Sequence, residues 1–252
     1  MSSQKEWWHE FFKDFRVVFG NVNQRSTNAQ VRYLLDKLAL RRGRSFLDCP
    51  CGIGRITLPL GKQGVRVTAV DFFGPYLEEV EAKAKRRKLK TIRTVQSDMR
   101  RITFENEFDA AGNIWTSFGY FERESDNLLV LKKYFKALKP GGRFFISLIN
   151  RDWVILNFAE RDWFAAGDGM VYAERRFDIA RSVTTDTWTF VRDGQARSHD
   201  TLIRIYSLHE MMAMLRAAGF VDIEGYGSFK EEPITRNSRM MYITAVKPKG
   251  KR

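Results

Sequence analysis

The 252-residue chain is poor in cysteine and histidine, the residues that build disulfide frameworks and zinc sites. Its two cysteines, Cys49 and Cys51, are two positions apart, where the side chains of an extended segment point in opposite directions. A structural zinc ion needs about four ligands, and the three histidines lie far apart in the sequence. We therefore predict neither a disulfide nor a bound metal, and we expect a reducing, cytoplasmic compartment.

The chain also lacks a long apolar segment. Runs such as residues 144–149 have the length of a strand, whereas a membrane-spanning helix needs about 20 apolar residues. The first apolar stretch carries charges within it, unlike the core of a secretory signal peptide. We expect no membrane span and no cleaved leader, and an apolar content of 44% is enough for a globular core.

Acidic residues are too few to balance the basic ones, and the formal net charge is +13. A dense basic run occupies residues 83–90, where it could face RNA or form the solvated end of a helix. No aromatic residue is interleaved in this run to stack on bases. Nucleic acid is therefore a possible partner that the sequence does not favour.

Residues 1–40 show the spacing of two helices. Trp8, Phe11, Phe12 and Phe15 recur at intervals of three and four residues and form one apolar face. A second apolar stripe covers residues 31–38, and a polar hinge at residues 20–28 separates the two. We predict a helical cap over residues 1–40.

After residue 45, short β-rich runs alternate with helical ones, which is the pattern of a parallel sheet built from βαβ units. The predicted strands cover residues 45–49, 65–71, 91–97, 108–115 and 143–150. The predicted helices cover residues 55–63, 75–88 and 123–138, and a Lys-Pro-Gly-Gly segment ends the third helix.

Residues 151–206 interrupt this alternation. Strands are predicted at residues 170–177, 182–191 and 196–206, with Asp193 and Gly194 as a hairpin turn. A helix closed by Gly219 and two strands at residues 221–227 and 239–246 follow. We expect a main α/β domain of residues 41–150 and 207–252, and a small antiparallel β insert of residues 151–206.

A glycine-containing loop follows the first predicted strand and opens a helix. Gly52 and Gly54 allow a tight turn and a close approach of the backbone to a ligand. Asp71 ends the second strand, where an acid can bind both hydroxyls of a ribose. A dinucleotide dehydrogenase would need glycine or alanine at position 57, and Thr57 breaks that pattern.

These segments resemble the motifs of class I S-adenosylmethionine-dependent methyltransferases, a Rossmann-like family. Residues 47–55, 70–72, 96–99, 108–117 and 138–143 match five of its motifs in order and spacing. Gly219 and the last two strands resemble its C-terminal end, which implies a doubly wound, seven-stranded, mostly parallel sheet with an antiparallel last strand. Pro50 departs from the family's usual glycine and removes one backbone N–H.

The resemblance implies S-adenosylmethionine as cofactor and a binding site in the loops that follow the strands. The residues that match the motifs are Asp48, Cys49, Pro50, Cys51, Gly52, Gly54, Arg55, Asp71, Phe72, Asp98, Met99 and Asn113. Asp71 would bind the ribose, Phe72 would lie against the adenine, and Asp98 and the N–H of Met99 would bind the polar edge of the adenine. Asp98 could instead cap a turn.

The resemblance also assigns residues to the methionine end of the cofactor. Gly52 and Gly54 would pass beneath it, and Asp48 would hold the loop or, through water, the amino group. Asn113 would lie near the sulfonium. Arg25 could reach the carboxylate if the N-terminal segment folds over the site.

Methyl transfer from a sulfonium depends mainly on positioning, since proximity and orientation can contribute roughly 7–11 kcal/mol. A general base is needed only for an acceptor that stays protonated at neutral pH. Tyr120 and His199 are weak candidates for this role, because each could equally be a packing or surface residue.

No motif identifies the acceptor. The fourth motif lacks the Asn/Asp-Pro-Pro-Tyr/Phe arrangement that binds planar amides, and the aromatic-rich insert could form an apolar pocket or a dimer surface. The aromatic residues of the insert that suggest this are Trp153, Trp163, Tyr172 and Trp188. We predict methyl transfer to a small-molecule N or O atom by a monomer or homodimer. An RNA or protein methyltransferase and a non-catalytic cofactor-binding protein stay as alternatives.

Overall fold

The computed structural model describes residues 6–21 and 23–250. Its strands, numbered along the chain, are β1 (Ser45–Asp48), β2 (Arg66–Asp71), β3 (Ile92–Gln96), β4 (Phe108–Asn113), β5 (Leu138–Ile149), β6 (Arg161–Ala166), β7 (Gly169–Asp178), β8 (Val183–Arg192), β9 (Gln195–Arg204), β10 (Val221–Tyr226) and β11 (Met240–Val246). Its α-helices are α1 (Trp8–Phe15), α2 (Gln24–Lys37), α3 (Thr57–Lys62), α4 (Gly74–Arg86), α5 (Glu124–Ala137), α6 (Arg151–Leu156) and α7 (Leu208–Ala217). A 3-10 helix (Arg16–Asn21) follows α1. Among the described helices, none is long and apolar enough to cross a membrane.

The main sheet has seven strands in the order β10-β11-β5-β4-β1-β2-β3. Strands β1 to β5 are parallel, β11 is antiparallel to β5, and β10 is antiparallel to β11. This arrangement confirms the predicted doubly wound α/β fold. Because the strand order reverses between β1 and β4, the loops at the carboxyl ends of these two strands diverge and leave a crevice.

Helices cover both faces of the main sheet. Phe46 and Leu47 of β1 are fully buried and point to opposite faces, since successive side chains of a strand alternate. Phe46 packs in a cluster with Leu34 of α2, and Leu47 packs in a second cluster with Leu131 of α5 and Met211 of α7. Two apolar faces explain why these strands are continuously apolar in sequence.

Helix α2 begins earlier than the sequence predicts. The Asn23 side chain caps it by accepting a hydrogen bond from the Arg25 N–H at 2.7 Å. The predicted polar hinge is therefore wrong for residues 24–28, because polarity alone does not reveal this cap. Residues 1–5 and 22 of the predicted cap lie outside the described part of the chain.

The insert forms a four-stranded antiparallel sheet in the order β6-β7-β8-β9. Asp193 and Gly194, with φ of 51° and 73°, form the predicted turn between β8 and β9. Strand β6 and helix α6 are absent from the prediction, because β6 is a mostly exposed edge strand and α6 has only 6 residues. The Lys-Pro-Gly-Gly segment, predicted as a connection, lies within β5.

The small sheet packs on α1 and on the loop after β4. The Phe11 ring centroid lies 5.7 Å from that of Trp188 and 6.1 Å from that of Phe190. In the loop, the Gly119 carbonyl accepts a hydrogen bond from the Arg204 N–H of β9 at 2.8 Å. These contacts place the small sheet over the carboxyl edge of the main sheet.

Gly119→Ala should destabilise the protein, because Gly119 has a φ of 89° and a Cβ atom there would lie 2.1 Å from the Arg204 carbonyl oxygen. We expect the free energy of unfolding, measured by urea denaturation, to fall by about 3 kcal/mol. Gly194→Ala is the matched control: its φ is 73°, but nothing lies within 4 Å of its Cβ position. The control should lose only about 1 kcal/mol, and equal losses would show that the contact with β9 contributes nothing.

Candidate functional site

A cavity of about 540 Å³, called the main cavity below, opens at the carboxyl edge of the main sheet beside the reversal between β1 and β4. Its walls come from the loops after β1 to β4, from α1, and from both sheets. The predicted site residues that line it are Asp48, Cys49, Pro50, Cys51, Gly52, Arg55, Asp71, Phe72, Asp98, Met99 and Tyr120. The predicted residues that do not line it are Arg25, Gly54, Asn113 and His199.

The loop after β1 is fastened to both neighbouring strands. The Cys49 N–H donates to the Gly112 carbonyl of β4 at 3.2 Å, and the Cys51 N–H donates to the Val70 carbonyl of β2 at 2.8 Å. The Tyr134 hydroxyl of α5 donates to the Cys49 carbonyl from below. The loop backbone is therefore held in place before any ligand binds.

Asp71 ties this loop to the next one. One carboxylate oxygen accepts the Gly52 N–H at 2.9 Å, and the other accepts the Phe73 N–H at 3.0 Å. Burial raises the pKa of Asp71 to about 6, although these backbone hydrogen bonds act in the opposite direction. Each oxygen keeps a further lone pair that can accept a hydroxyl group of a ligand.

Asp48 lies beneath the loop at the start of α3. Its carboxylate accepts a hydrogen bond from the Thr57 hydroxyl at 2.6 Å, so the residue that breaks the dinucleotide pattern has a structural partner. Burial raises the pKa of Asp48 to about 6, and the nearby Asp71 charge adds to this effect. Two buried carboxyls thus lie side by side beneath the loop.

Arg55 brings a positive charge to the main cavity. Its guanidinium lies 3.4 Å from the Thr27 hydroxyl and 5.5 Å from the centroid of the Trp115 ring, and no described carboxylate forms an ion pair with it. Burial lowers the pKa of Arg55. The Asp48 charge acts on Arg55, but no described carboxylate is within ion-pair distance, so the guanidinium can still bind an anionic ligand group. Arg25, by contrast, is exposed and outside the lining.

The loops after β2 and β3 form the far end of the main cavity. Phe72 contacts Phe12 of α1, with ring centroids 5.8 Å apart. Asp98 caps a turn, because it accepts the Arg100 N–H at 2.7 Å and pairs with the Arg100 guanidinium at 2.5 Å. Asp98 therefore caps a turn, as the alternative prediction states. Its side chain nevertheless lines the main cavity together with Met99.

Aromatic side chains from distant parts of the chain complete the wall. Helix α1 and the residue before it contribute Trp7, Trp8, Phe11, Phe12 and Phe15, and other elements contribute Trp115, Trp188, Phe229 and Tyr242. The spacing of these residues predicts the apolar face of α1 but not its position in the site. Its unusual aromatic content was the available signal.

Three of the four insert aromatics proposed for the acceptor pocket lie elsewhere. Only Trp188 lines the main cavity, whereas Trp153 does not, and Trp163 and Tyr172 are exposed. Trp163 and Tyr172 face each other across β6 and β7, on the outer face of the small sheet.

The structure separates the remaining candidates from the main cavity. Asn113 is fully buried, and its amide donates to the Ser117 carbonyl at 3.0 Å and to the Tyr134 hydroxyl at 3.3 Å. Gly54 has a φ of 79° and packs against α4, where a Cβ atom would clash with Val80. These positions hold the fold beneath the loop and do not reach the cavity.

The two catalytic candidates have different surroundings. Tyr120 lines the main cavity, and burial raises its pKa, so it stays protonated and can donate a hydrogen bond. His199 lies on β9 with its Nε2 atom 2.7 Å from the Asp14 carboxylate of α1, in a neighbouring cavity. Neither is placed to remove a proton at neutral pH in the main cavity.

The amino-acid sequence is similar to known methyltransferases. A family model described as a methyltransferase domain matches residues 46–142, which include the loops after β1 to β4. The cypemycin N-terminal methyltransferase of a Streptomyces species is 30% identical, over 80% of this chain and 82% of that protein. This identity extends well beyond the residues that line the main cavity.

Solved structures share the fold. An S-adenosylmethionine-dependent methyltransferase from Clostridium acetobutylicum is similar with a TM-score of 0.79 and 18% identity, over 96% of this chain and 99% of that chain. The sugar N-methyltransferase KedS8 from Streptoalloteichus is similar with a TM-score of 0.65 and 18% identity, over 95% and 92% of the two chains. On the family model, the 30% identical relative and the shared fold together, the chain belongs to the class I S-adenosylmethionine-dependent methyltransferases.

Proposed function

We propose that this methyltransferase moves the methyl group to a nitrogen or oxygen atom of a small molecule. The observation that carries the proposal is that one cavity joins the loops of the cofactor motifs to the aromatic wall formed by α1 and the small sheet. Its volume of about 540 Å³ is within the usual range for small-molecule sites and leaves no room for a folded macromolecule.

The residues of the main cavity fit S-adenosylmethionine in charge and shape. In our proposal Asp71 binds the ribose, Phe72 and Met99 hold the adenine, and the backbone at Gly52 lies beneath the methionine portion. Arg55, which has no described carboxylate within ion-pair distance, binds the carboxylate. When bound, the cofactor supplies an electrophilic methyl group on a sulfonium.

The chain's own contribution to the reaction is positioning and exclusion of water. The aromatic wall leaves few polar groups to hydrate the acceptor, and Tyr120 can donate a hydrogen bond that orients it. A fixed geometry of this kind can contribute roughly 7–11 kcal/mol to the lowering of the barrier. The proposal therefore needs no general base, and the acceptor atom enters in its unprotonated form.

The basic run at the end of α4 does not support an RNA acceptor. Helix α4 begins next to the main cavity, and its 13 residues at about 1.5 Å each carry the basic end roughly 18 Å away. Lys83 in this run is already paired with Glu79. The name of one structural neighbour, a sugar N-methyltransferase, supports a small acceptor instead.

We further propose a division into a cap of residues 1–40, a cofactor-binding domain of residues 41–150 and 207–252, and an acceptor-covering insert of residues 151–206. Phe12 of the cap and Trp188 of the insert line the main cavity, which supports these roles. A cytoplasmic location agrees with two free cysteines, both buried. We propose a monomer or a homodimer.

Asp71→Ala should weaken S-adenosylmethionine binding by at least about tenfold, because hydrogen bonds to a charged group contribute roughly 1.5–3 kcal/mol each. Calorimetric titration measures the affinity, and a nicotinamide dinucleotide should not bind to either protein. Asp36→Ala, an exposed residue of α2 outside the cavity, is the control and should bind like the parent. Binding within twofold at an unchanged melting temperature would remove Asp71 as the ribose ligand.

Lowering the pH from 7 to 5 should stabilise the cofactor-free protein. The pKa values of Asp48 and Asp71 are raised by burial from 3.8 to about 6 in the folded state, so the folded protein binds protons before the unfolded chain does. The free energy of unfolding should therefore rise as the pH falls, by about 1 kcal/mol for each carboxyl.

Urea unfolding at pH 7 and pH 5 measures this gain, with Asp71→Asn as the comparison. The variant has no titrating group at this position, so its gain should be smaller by about 1 kcal/mol. Carboxyls with a lowered pKa, such as Glu210 at about 2, act in the opposite direction, but only weakly, because their unfolded pKa of about 4.5 lies below this pH range. An equal gain in the two proteins would contradict the proposed cost of burying Asp71.

Incubation with radiolabelled S-adenosylmethionine tests the acceptor class. The parent protein should transfer label to the small-molecule fraction of a cell extract, and Asp71→Ala should transfer much less at the same cofactor concentration. Total RNA from the same cells should stay unlabelled. Stoichiometric label in one RNA species would overturn the small-molecule proposal.

A further inference from the structure

A second cavity of about 1040 Å³ adjoins the main cavity. The two cavities share the side chains of Trp7, Trp8, Tyr120, Phe121 and Thr201 as a common wall. The second cavity is bounded by α1, α5 and the small sheet, and it contains none of the residues of the cofactor motifs. It therefore borders the aromatic side of the main cavity.

The charge of this second cavity is opposite to that of the whole chain. Seven carboxylates and four arginines line it, which gives a net charge of −3, whereas the chain carries +13. We call it the acidic groove. A local negative potential on a basic protein attracts cations and repels phosphate-bearing molecules.

Asp186 of β8 is an incompletely paired carboxylate within the acidic groove. It is only 9% exposed, the Trp188 side chain hydrogen-bonds to its carboxylate, and one of its oxygens, Oδ1, has no well-formed hydrogen bond from a described residue. Its other oxygen lies 3.6 Å from the Arg175 guanidinium, which also pairs with Asp162 at 3.3 Å. A buried carboxylate oxygen without a donor is unfavourable unless a ligand supplies one.

Asp186 lies next to the common wall of the two cavities. Thr201, which lines both, is its direct partner in the register of β8 and β9. Trp188, which lines the main cavity, is two residues along the same strand and therefore about 7 Å away on the same face. A small ring compound that packs against Trp188 can reach Asp186 with a group attached two or three bonds from the ring of the compound.

We propose that Asp186 binds a protonated amino group of the methyl acceptor, separate from the unprotonated atom that is methylated, so that the substrates of this enzyme are small cationic amines. The inference rests on the proposed small-molecule methyl transfer and adds the charge that the acceptor must carry. The ammonium group supplies the hydrogen bond that Oδ1 lacks, and the negative potential of the acidic groove favours its approach. Burial raises the pKa of Asp186 to about 6, so the carboxylate is charged and available at neutral pH.

The competing explanation is a structural ion pair between Asp186 and Arg175. In that case Asp186→Asn should lower the melting temperature by several degrees, because it would leave Arg175 without one of its partners. If Asp186 is instead a ligand-binding residue, the variant should melt at or above the temperature of the parent, since it removes an incompletely paired buried charge. A clear loss of stability in Asp186→Asn would overturn the proposal.

Binding of two probes of nearly equal shape provides the direct test. 2-Phenylethylamine is an ammonium ion at pH 7.5, and 2-phenylethanol is neutral. With S-adenosylhomocysteine present at saturation, the parent protein should bind the amine about tenfold more tightly than the alcohol, which is the preference expected for one charge-assisted hydrogen bond. Equal binding of the two probes to the parent would overturn the proposal.

Variants of Asp186 test which residue is responsible for the preference for the amine. It should fall below threefold in Asp186→Asn and persist in Asp186→Glu and in the control Asp200→Asn, which removes an exposed carboxylate of the same groove. If Asp186→Asn still prefers the amine over the alcohol, the preference belongs to the acidic groove as a whole, and the role of Asp186 is overturned. The affinity for S-adenosylhomocysteine should stay within twofold of the parent's value in every variant. If the parent itself does not bind S-adenosylhomocysteine, the proposed function fails, and not only the role of Asp186.

Discussion

The main cavity depends on one buried carboxylate, that of Asp71. It accepts an N–H group from Gly52 after β1 and another from Phe73 after β2, so a single side chain aligns two loops that belong to different strands. The arrangement has a thermodynamic consequence, because burial raises the pKa of both Asp71 and the nearby Asp48, and only Asp48 is opposed by a cation, Arg55. The loops are thus ordered for a ligand at the expense of the stability of the empty fold.

The aromatic wall depends on contacts that hold α1 to helix α4 on one side and to the small sheet on the other. Arg16, just after α1, pairs with Glu79 of α4 at 2.9 Å, and the Tyr76 hydroxyl donates to the Phe12 carbonyl at 2.8 Å. On the other side, the Asp14 carboxylate contacts His199 of the small sheet. This contact connects the small sheet to α1, whereas the role of His199 in proton transfer stays a prediction.

Sequence patterns predict the features that depend on local chain geometry. The alternation of strands and helices, the loop at Gly52 and the turn at Asp193 follow from rules that act over a few residues. The surroundings of His199 and Asp186 could not be predicted in this way. The partner of His199 is 185 positions away, and Asp186 lies between Arg175 of β7 and Thr201 of β9, which its own strand does not reveal.

The long separation between Asp14 and His199 also bears on biosynthesis. Helix α1 is translated well before its partners on the small sheet, because Asp14 and His199 are 185 positions apart. Until then a helix with five aromatic side chains at or next to it has no complete surface to cover it, and such exposed apolar segments favour chaperone binding or aggregation. The main cavity can therefore close only after the small sheet has been translated. The yield of active protein then depends on how well α1 avoids non-native contacts until that point.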